Sequence, residues 1–216
     1  DRFLRVTVKV LNSYNLKRKQ ERKMIGIAPQ EWKTDLPEFC EKTRDFYAGK
    51  MDKGSYKGFS GRYGSYAQKG GAASMLRLRM TAGCVSKEKL AFIAKAIRAY
   101  QVNMVHFTTC ESVQFHNLDE KSVCELMEQA LDAGIVTMGG GGDFPRNVMC
   151  SPLSGVEEGE YFDVMPWAKA AGEYLMTFIN AEKMPRKLNA PITGDMKWRR
   201  NSEPAICSRA MRHWRS

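Results

Sequence analysis

The chain has 216 residues, 43% of them hydrophobic, and a formal charge of +10; this is enough apolar material for a substantial core, and no apolar run approaches the roughly 18 residues of a membrane helix. Residues 1–33 hold nine Lys/Arg against three Asp/Glu and residues 196–216 hold six against one, so the body between them is nearly neutral. A nucleic-acid partner calls for a basic body, so none is expected, and both ends read as solvated basic tails.

In chain order, FLRVTVKV (3–10) alternates as a strand and KRKQERK (17–23) is a solvated charge run. The N-terminus lacks the charged-then-apolar layout of a signal peptide, which makes a cytoplasmic location the expectation. DLPEFCEKTRDFY (35–47) reads as a short helix with Pro37 near its start. The following KGSYKGFSGRYGSYAQKGG (53–71), rich in Gly, Ser and Tyr, reads as a long ordered loop or linker.

From Ser74 the pattern is regular. SMLRLRM (74–80) sets Leu76, Leu78 and Met80 against Met75, Arg77 and Arg79, as a half-buried strand does. Ser86 caps a helix whose apolar stripe is Leu90, Ile93, Ala94 and Ile97. Strands are predicted at 104–109 and 112–118. Asp119 caps a second helix with the stripe Val123, Leu126, Met127, Ala130 and Leu131, ended by Gly134, and IVTM (135–138) reads as a last strand. The order β-α-β-β-α-β makes the fold class α+β, a ferredoxin-like sandwich with an antiparallel sheet and two helices on one face. An incomplete second α+β unit follows: a strand at 147–150, then a helix opened by Asp163 with the stripe Val164, Trp167, Ala168, Ala171, Leu175 and Phe178.

The six cysteines are scattered without a C-x-x-C pair, so a zinc site or disulfide scaffold is not expected, and most read as buried reduced thiols. His106 and His116 lie on adjacent predicted strands, but no third ligand marks a metal site. Between Met138 and Arg146 stands the run GGGGDFP, which fits neither nucleotide-phosphate glycine motif. Arg77 and Arg79 share one face of a predicted strand, Arg146 follows the glycine run, and Arg186 and Lys187 follow Pro185; arginine forks and bare backbone N–H groups are the groups that bind anions.

RLRMTAG (77–83), HFTTCESVQFHNL (106–118), FPRNVMCSPLSG (144–155) and MPRKLN (184–189), in this order and spacing, resemble the N-terminal half of siroheme-dependent sulfite and nitrite reductases, over about residues 55–195. The resemblance implies an N-terminal extension with a short helix (1–53), a ferredoxin-like half domain (54–142), the beginning of a siroheme and 4Fe-4S domain (143–195) and an atypical basic tail (196–216). It implies a six-electron reduction of nitrite or sulfite, an electron donor such as ferredoxin, no membrane partner, and a C-terminal half that carries the cluster cysteines, so that this chain alone is expected to be inactive. It places Arg79, Arg146, Lys187 and Asn189 around the substrate anion, and Arg77, Thr108, Gln114 and His116 against the siroheme. Cys110 stands where the family often has an arginine. Asn189, where sulfite-type enzymes tend to carry a second lysine, points toward nitrite. Two other functions share the topology. An RNA-recognition module would need the aromatic signature that SVQFHNL lacks, whereas a regulatory small-molecule-binding module stays open on sequence grounds.

Overall fold

A computed structural model describes residues 29–142, 144–156, 158, 160, 162–179, 188 and 190–192. The strand expected at 3–10, the charge run after it and the tail from 196 lie outside the described residues.

Helix α1 (Leu36–Tyr47) forms as expected, with proline in its first turn and Leu36, Phe39 and Thr43 facing inward. The stretch expected to be a loop is structured instead. Asp52 accepts hydrogen bonds from the Gly54 and Ser55 amides at 2.8 and 3.0 Å and so starts α2 (Lys53–Ser60), and a 3-10 turn at Gly61–Tyr63 leads into β1 (Ser65–Ala67). Its glycines and serines hide the helical period. The helix is held by tertiary packing, because the buried Tyr56 stacks on Phe46 with ring centroids 4.2 Å apart and hydrogen-bonds Thr43 Oγ1 at 3.1 Å.

The regular part follows its pattern. Next come β2 (Ser74–Arg79), α3 (Lys87–Ala99), β3 (Val105–Phe107), β4 (Ser112–Leu118) and α4 (Glu120–Asp132). The Ser86 and Asp119 side chains cap α3 and α4 by accepting from the amides of Lys89 and Ser122. All five residues of the expected α4 stripe are buried. On α3 the stripe is rotated: Ile93 and Ala96 are buried, while Leu90 is 55% exposed, because α3 lies at the margin of the core with its first turn projecting.

The four strands form one antiparallel sheet in the order β1-β2-β4-β3. Its core side carries Leu76, Leu78, Val113 and Phe115, which pack with α1, α3 and α4 in one cluster. Residues 135–138 do not form a ladder strand. They pass beside the end of β2, tied to it by one bond from Arg79 N to Val136 O at 2.8 Å, because β1 and Gly64 already occupy the neighbouring stretch of that edge.

Beyond the glycines, β5 (Val148–Cys150) pairs in parallel with β6 (Ala190–Ile192), and α5 (Met165–Met176) packs on β5 and on the Thr81–Gly83 turn. Val148, Cys150, Val164 and Ala168 join Ala82 in a second small core, with Ala171 and Leu175 at its edge. Trp167 on α5 and Phe178 past its end, both expected in this stripe, are more than one-third exposed. Among the described residues no helix is long and apolar enough to cross a membrane.

Candidate anion and cofactor site

Strand alternation that buries Leu76 and Leu78 turns Arg77 and Arg79 to the sheet face opposite the helices. Arg77 is in register with Gln114 on β4, and Gln114 with His106 on β3, so one cross-strand row carries a cation, an amide and an imidazole. With its amide oxygen turned to Arg77, as the donor pattern requires, Gln114 accepts from Nη2 at 2.6 Å and Nε at 2.9 Å. His116 stands edge-on to His106 with ring centroids 5.1 Å apart, and its Nδ1 lies 3.3 Å from Gln68 Nε2. Burial, then the neighbouring His106 and Arg77, hold the His116 pKa below the ordinary imidazole value.

The glycine run crosses the same face. A Cβ at Gly139 would stand 2.6 Å from Arg79 Nη1 and 2.8 Å from the Pro145 oxygen; one at Gly141 would overlap the Tyr66 ring, whose hydroxyl accepts from the Gly142 amide at 2.6 Å. The molecule's own arginines and tyrosine therefore make the close approach. Arg79 is 4% exposed and donates through Nη1 to the Pro145 and Met138 oxygens at 2.8 and 3.3 Å, and through Nη2 to the Arg146 oxygen at 3.1 Å. Arg146 donates to the Gly140 and Gly142 oxygens at 2.6 and 2.8 Å, and Arg77 also donates to Gly140. Side chains on the loop would exclude these guanidiniums, so its bare carbonyls gather positive charge.

The result is a cavity of about 350 Å³ lined by Tyr66, Arg77, Arg79, Cys110, Arg146 and Asn147, with Ser112 and the backbone of Gly139 and Gly140. Among the described residues no carboxylate forms an ion pair with any of the three arginines. Burial first, then the charge of Arg146, lowers the pKa of both Arg77 and Arg79, the latter to about 10, which leaves each protonated at neutral pH. Arg146 also keeps a buried Nε without a partner. Asn147 Nδ2 donates to the Met80, Cys110 and Glu111 oxygens at 2.7, 3.1 and 2.9 Å, while its buried Oδ1 has no partner. Three converging cations, with no carboxylate partner among the described residues, and an idle donor suit an anionic ligand.

Of the residues singled out in the sequence, Arg77, Arg79 and Arg146 line this one cavity, and Gln114 and His116 share its sheet face. Thr108 lies in the β3–β4 turn: its Oγ1 accepts from the Ser112 amide at 3.2 Å and its carbonyl from the Glu111 amide at 2.9 Å, so it shapes the hairpin and does not line the cavity. Lys187 and Asn189 lie outside the described residues. Tyr66 and Asn147 were not foreseen. Asn147 had its adjacency to Arg146 as a signal; nothing distinguished Tyr66 from the other tyrosines of 53–71. The His106–His116 pair gains no third ligand, and among the described residues no group of three or more His, Cys, Asp and Glu is placed to hold a metal.

Residues 66–133 match the family model of the nitrite/sulfite reductase ferredoxin-like half domain. The assimilatory ferredoxin-dependent nitrite reductase of Haloferax mediterranei is 28% identical over 144 residues, which is 61% of this chain and 25% of that protein. The sulfite reductase [NADPH] hemoprotein beta-component of Vibrio atlanticus is 30% identical over 130 residues, 56% of this chain and 22% of that protein. The chain thus spans about a quarter of the length of the curated relatives it matches. Among solved structures, that of the Mycobacterium tuberculosis NirA protein superposes with a TM-score of 0.55 at 21% identity, covering 82% of this chain and 36% of that one; this likeness is one of fold.

Proposed function

The chain belongs to the nitrite/sulfite reductase family, and from that premise we propose that its arginine-lined sheet face is half of the pocket in which a reductase of nitrite or sulfite holds siroheme and its anionic substrate. The observation that carries this reading is the convergence of Arg77, Arg79 and Arg146 on one cavity where, among the described residues, no carboxylate pairs with them. Siroheme carries a ring of carboxylates, and the donor set present, guanidinium forks with an amide and an imidazole beside them, fits carboxylate recognition.

Arg77, fixed by Gln114, and the face of His116 receive the macrocycle. Arg146 and Arg79 hold the substrate anion and stabilise the negative charge that develops as its bonds to oxygen break. Lys187, which the family resemblance assigns to the same anion, would add a proton-bearing cation, and a neutral Asn189 in place of a second lysine would favour monovalent nitrite over dianionic sulfite. When bound, siroheme supplies the redox centre, with a 4Fe-4S cluster held by the enzyme's other half and electrons delivered by a donor such as ferredoxin.

In the reductase that contains this chain, assayed with reduced methyl viologen, Arg146→Gln is expected to lower kcat/KM for both anions by roughly 10²-fold, as for removal of one preorganised donor. Siroheme occupancy, followed by its absorbance, separates a loss of chemistry from a loss of cofactor. Unchanged kcat/KM at full occupancy would contradict the assignment.

A further inference from the structure

On the opposite side of the sheet, two thiols distant in sequence meet. Cys40 on α1 and Cys124 on α4 are each partly buried against the main core, and the two sulfurs hydrogen-bond to one another. Ion pairs fix the register of these helices. Lys33, just before α1, pairs with Asp132 at the end of α4, and Arg44 Nε stands 3.6 Å from Glu120 Oε1 at the start of α4. The helices therefore run antiparallel, and Cys40 and Cys124 lie one turn inside the Arg44–Glu120 pair, at the same level.

We propose that Cys40 and Cys124 are a redox-active dithiol that closes to a disulfide on exposure to a small disulfide oxidant such as glutathione disulfide, locking α1 onto the half domain. Cys40 is the attacking group. The Cys124 hydrogen bond first, with Arg44 assisting, holds its pKa below the usual thiol value against the opposing effects of burial, Glu128 and Glu120. Cys124 is pushed the other way by Cys40 and by burial, so the pair gives up one proton readily and keeps the second.

The Cys40 thiolate attacks one sulfur of glutathione disulfide, forming a mixed disulfide and releasing one glutathione thiolate; with the Cys40 charge gone, Cys124 no longer holds its proton so tightly and passes it to that thiolate. Cys124 sulfur then attacks Cys40 sulfur and expels the second glutathione. The protein loses two electrons and two protons, and the oxidant gains both as two thiols. Cys124 lies within residues 66–133, which match the half-domain model, and Cys40 lies outside them, so the bond joins the leading helix to that unit across a long loop.

The test incubates the full chain with glutathione disulfide, blocks free thiols with iodoacetamide and maps peptides without reduction. A Cys40–Cys124-linked peptide is expected as the main product, with a rise of several degrees in Tm that dithiothreitol reverses. Cys40→Ser and Cys124→Ser each remove both effects, whereas Cys84→Ser keeps them. Recovery of Cys40 as a stable glutathione adduct with Cys124 alkylated, a bond between other cysteines, or a Cys40–Cys124 bond without a change in Tm would each overturn the proposal. The map of the unsubstituted chain decides even if a serine variant folds poorly.

Discussion

Replacing Gly64 by alanine is expected to cost about 3–5 kcal/mol in urea unfolding, the range of steric faults that the backbone cannot relieve. Gly64 has a φ of +78°, and an added Cβ would overlap the Thr137 carbonyl oxygen and lie 3.3 Å from the Arg77 carbonyl. Both obstacles are backbone, and the Gly64 oxygen itself accepts from Arg77 N at 3.0 Å, so neither side can yield without breaking the edge of β2. Any relief would move residues 137–142, whose carbonyls hold the arginines, so the cavity should be lost with the stability. Gly58→Ala is the control: no atom meets its Cβ within 4 Å and it sits in helix α2, so it should stabilise by about 0.5–1 kcal/mol.

Arg79→Leu is expected to destabilise by about 3–5 kcal/mol, because it leaves the Met138, Pro145 and Arg146 carbonyls without their donor in a closed site. Arg79→Lys should fall between, since a single ammonium cannot reproduce a fork that reaches carbonyls on two sides. Thermal and urea unfolding of the three proteins check the order. Equal stability of the lysine and arginine proteins would show that charge alone matters at this position.

Much of the half domain was legible because its residues obey one period at a time. β2, β4 and α4 combine a clean alternation or stripe with a capping Asp or a bounding Gly, and each formed within about a residue of its expected range. α2 was hidden because Gly54, Ser55 and Gly58 carry no hydrophobic signal; its stability comes from Tyr56 stacking on Phe46 of the preceding helix, a packing contact that no periodicity within the segment records. Residues 135–138 have strand composition, but whether they enter a ladder depends on what else occupies the edge of β2, which no local pattern records.

The site was legible in part for the same reason. Alternation alone puts Arg77 and Arg79 on the face opposite Leu76 and Leu78. That Arg146 joins them, and that all three seat on glycine-run carbonyls, follows from the loop's tertiary path. The glycines were expected to make room for a bound ligand. Their immediate role is to let guanidiniums and Tyr66 approach the loop, which in turn concentrates the charge that a ligand would meet.

Titration of the full chain with siroheme, followed by the visible absorbance of the macrocycle at several salt concentrations, tests whether the face of Arg77, Arg79 and Arg146 is its binding surface. Saturable binding is expected, weakening steadily as salt rises and falling about tenfold or more in both Arg77→Gln and Arg146→Gln, in keeping with the loss of a charge-assisted bond from each. Binding that ignores salt and survives both substitutions, or no saturable binding at all, would contradict the account.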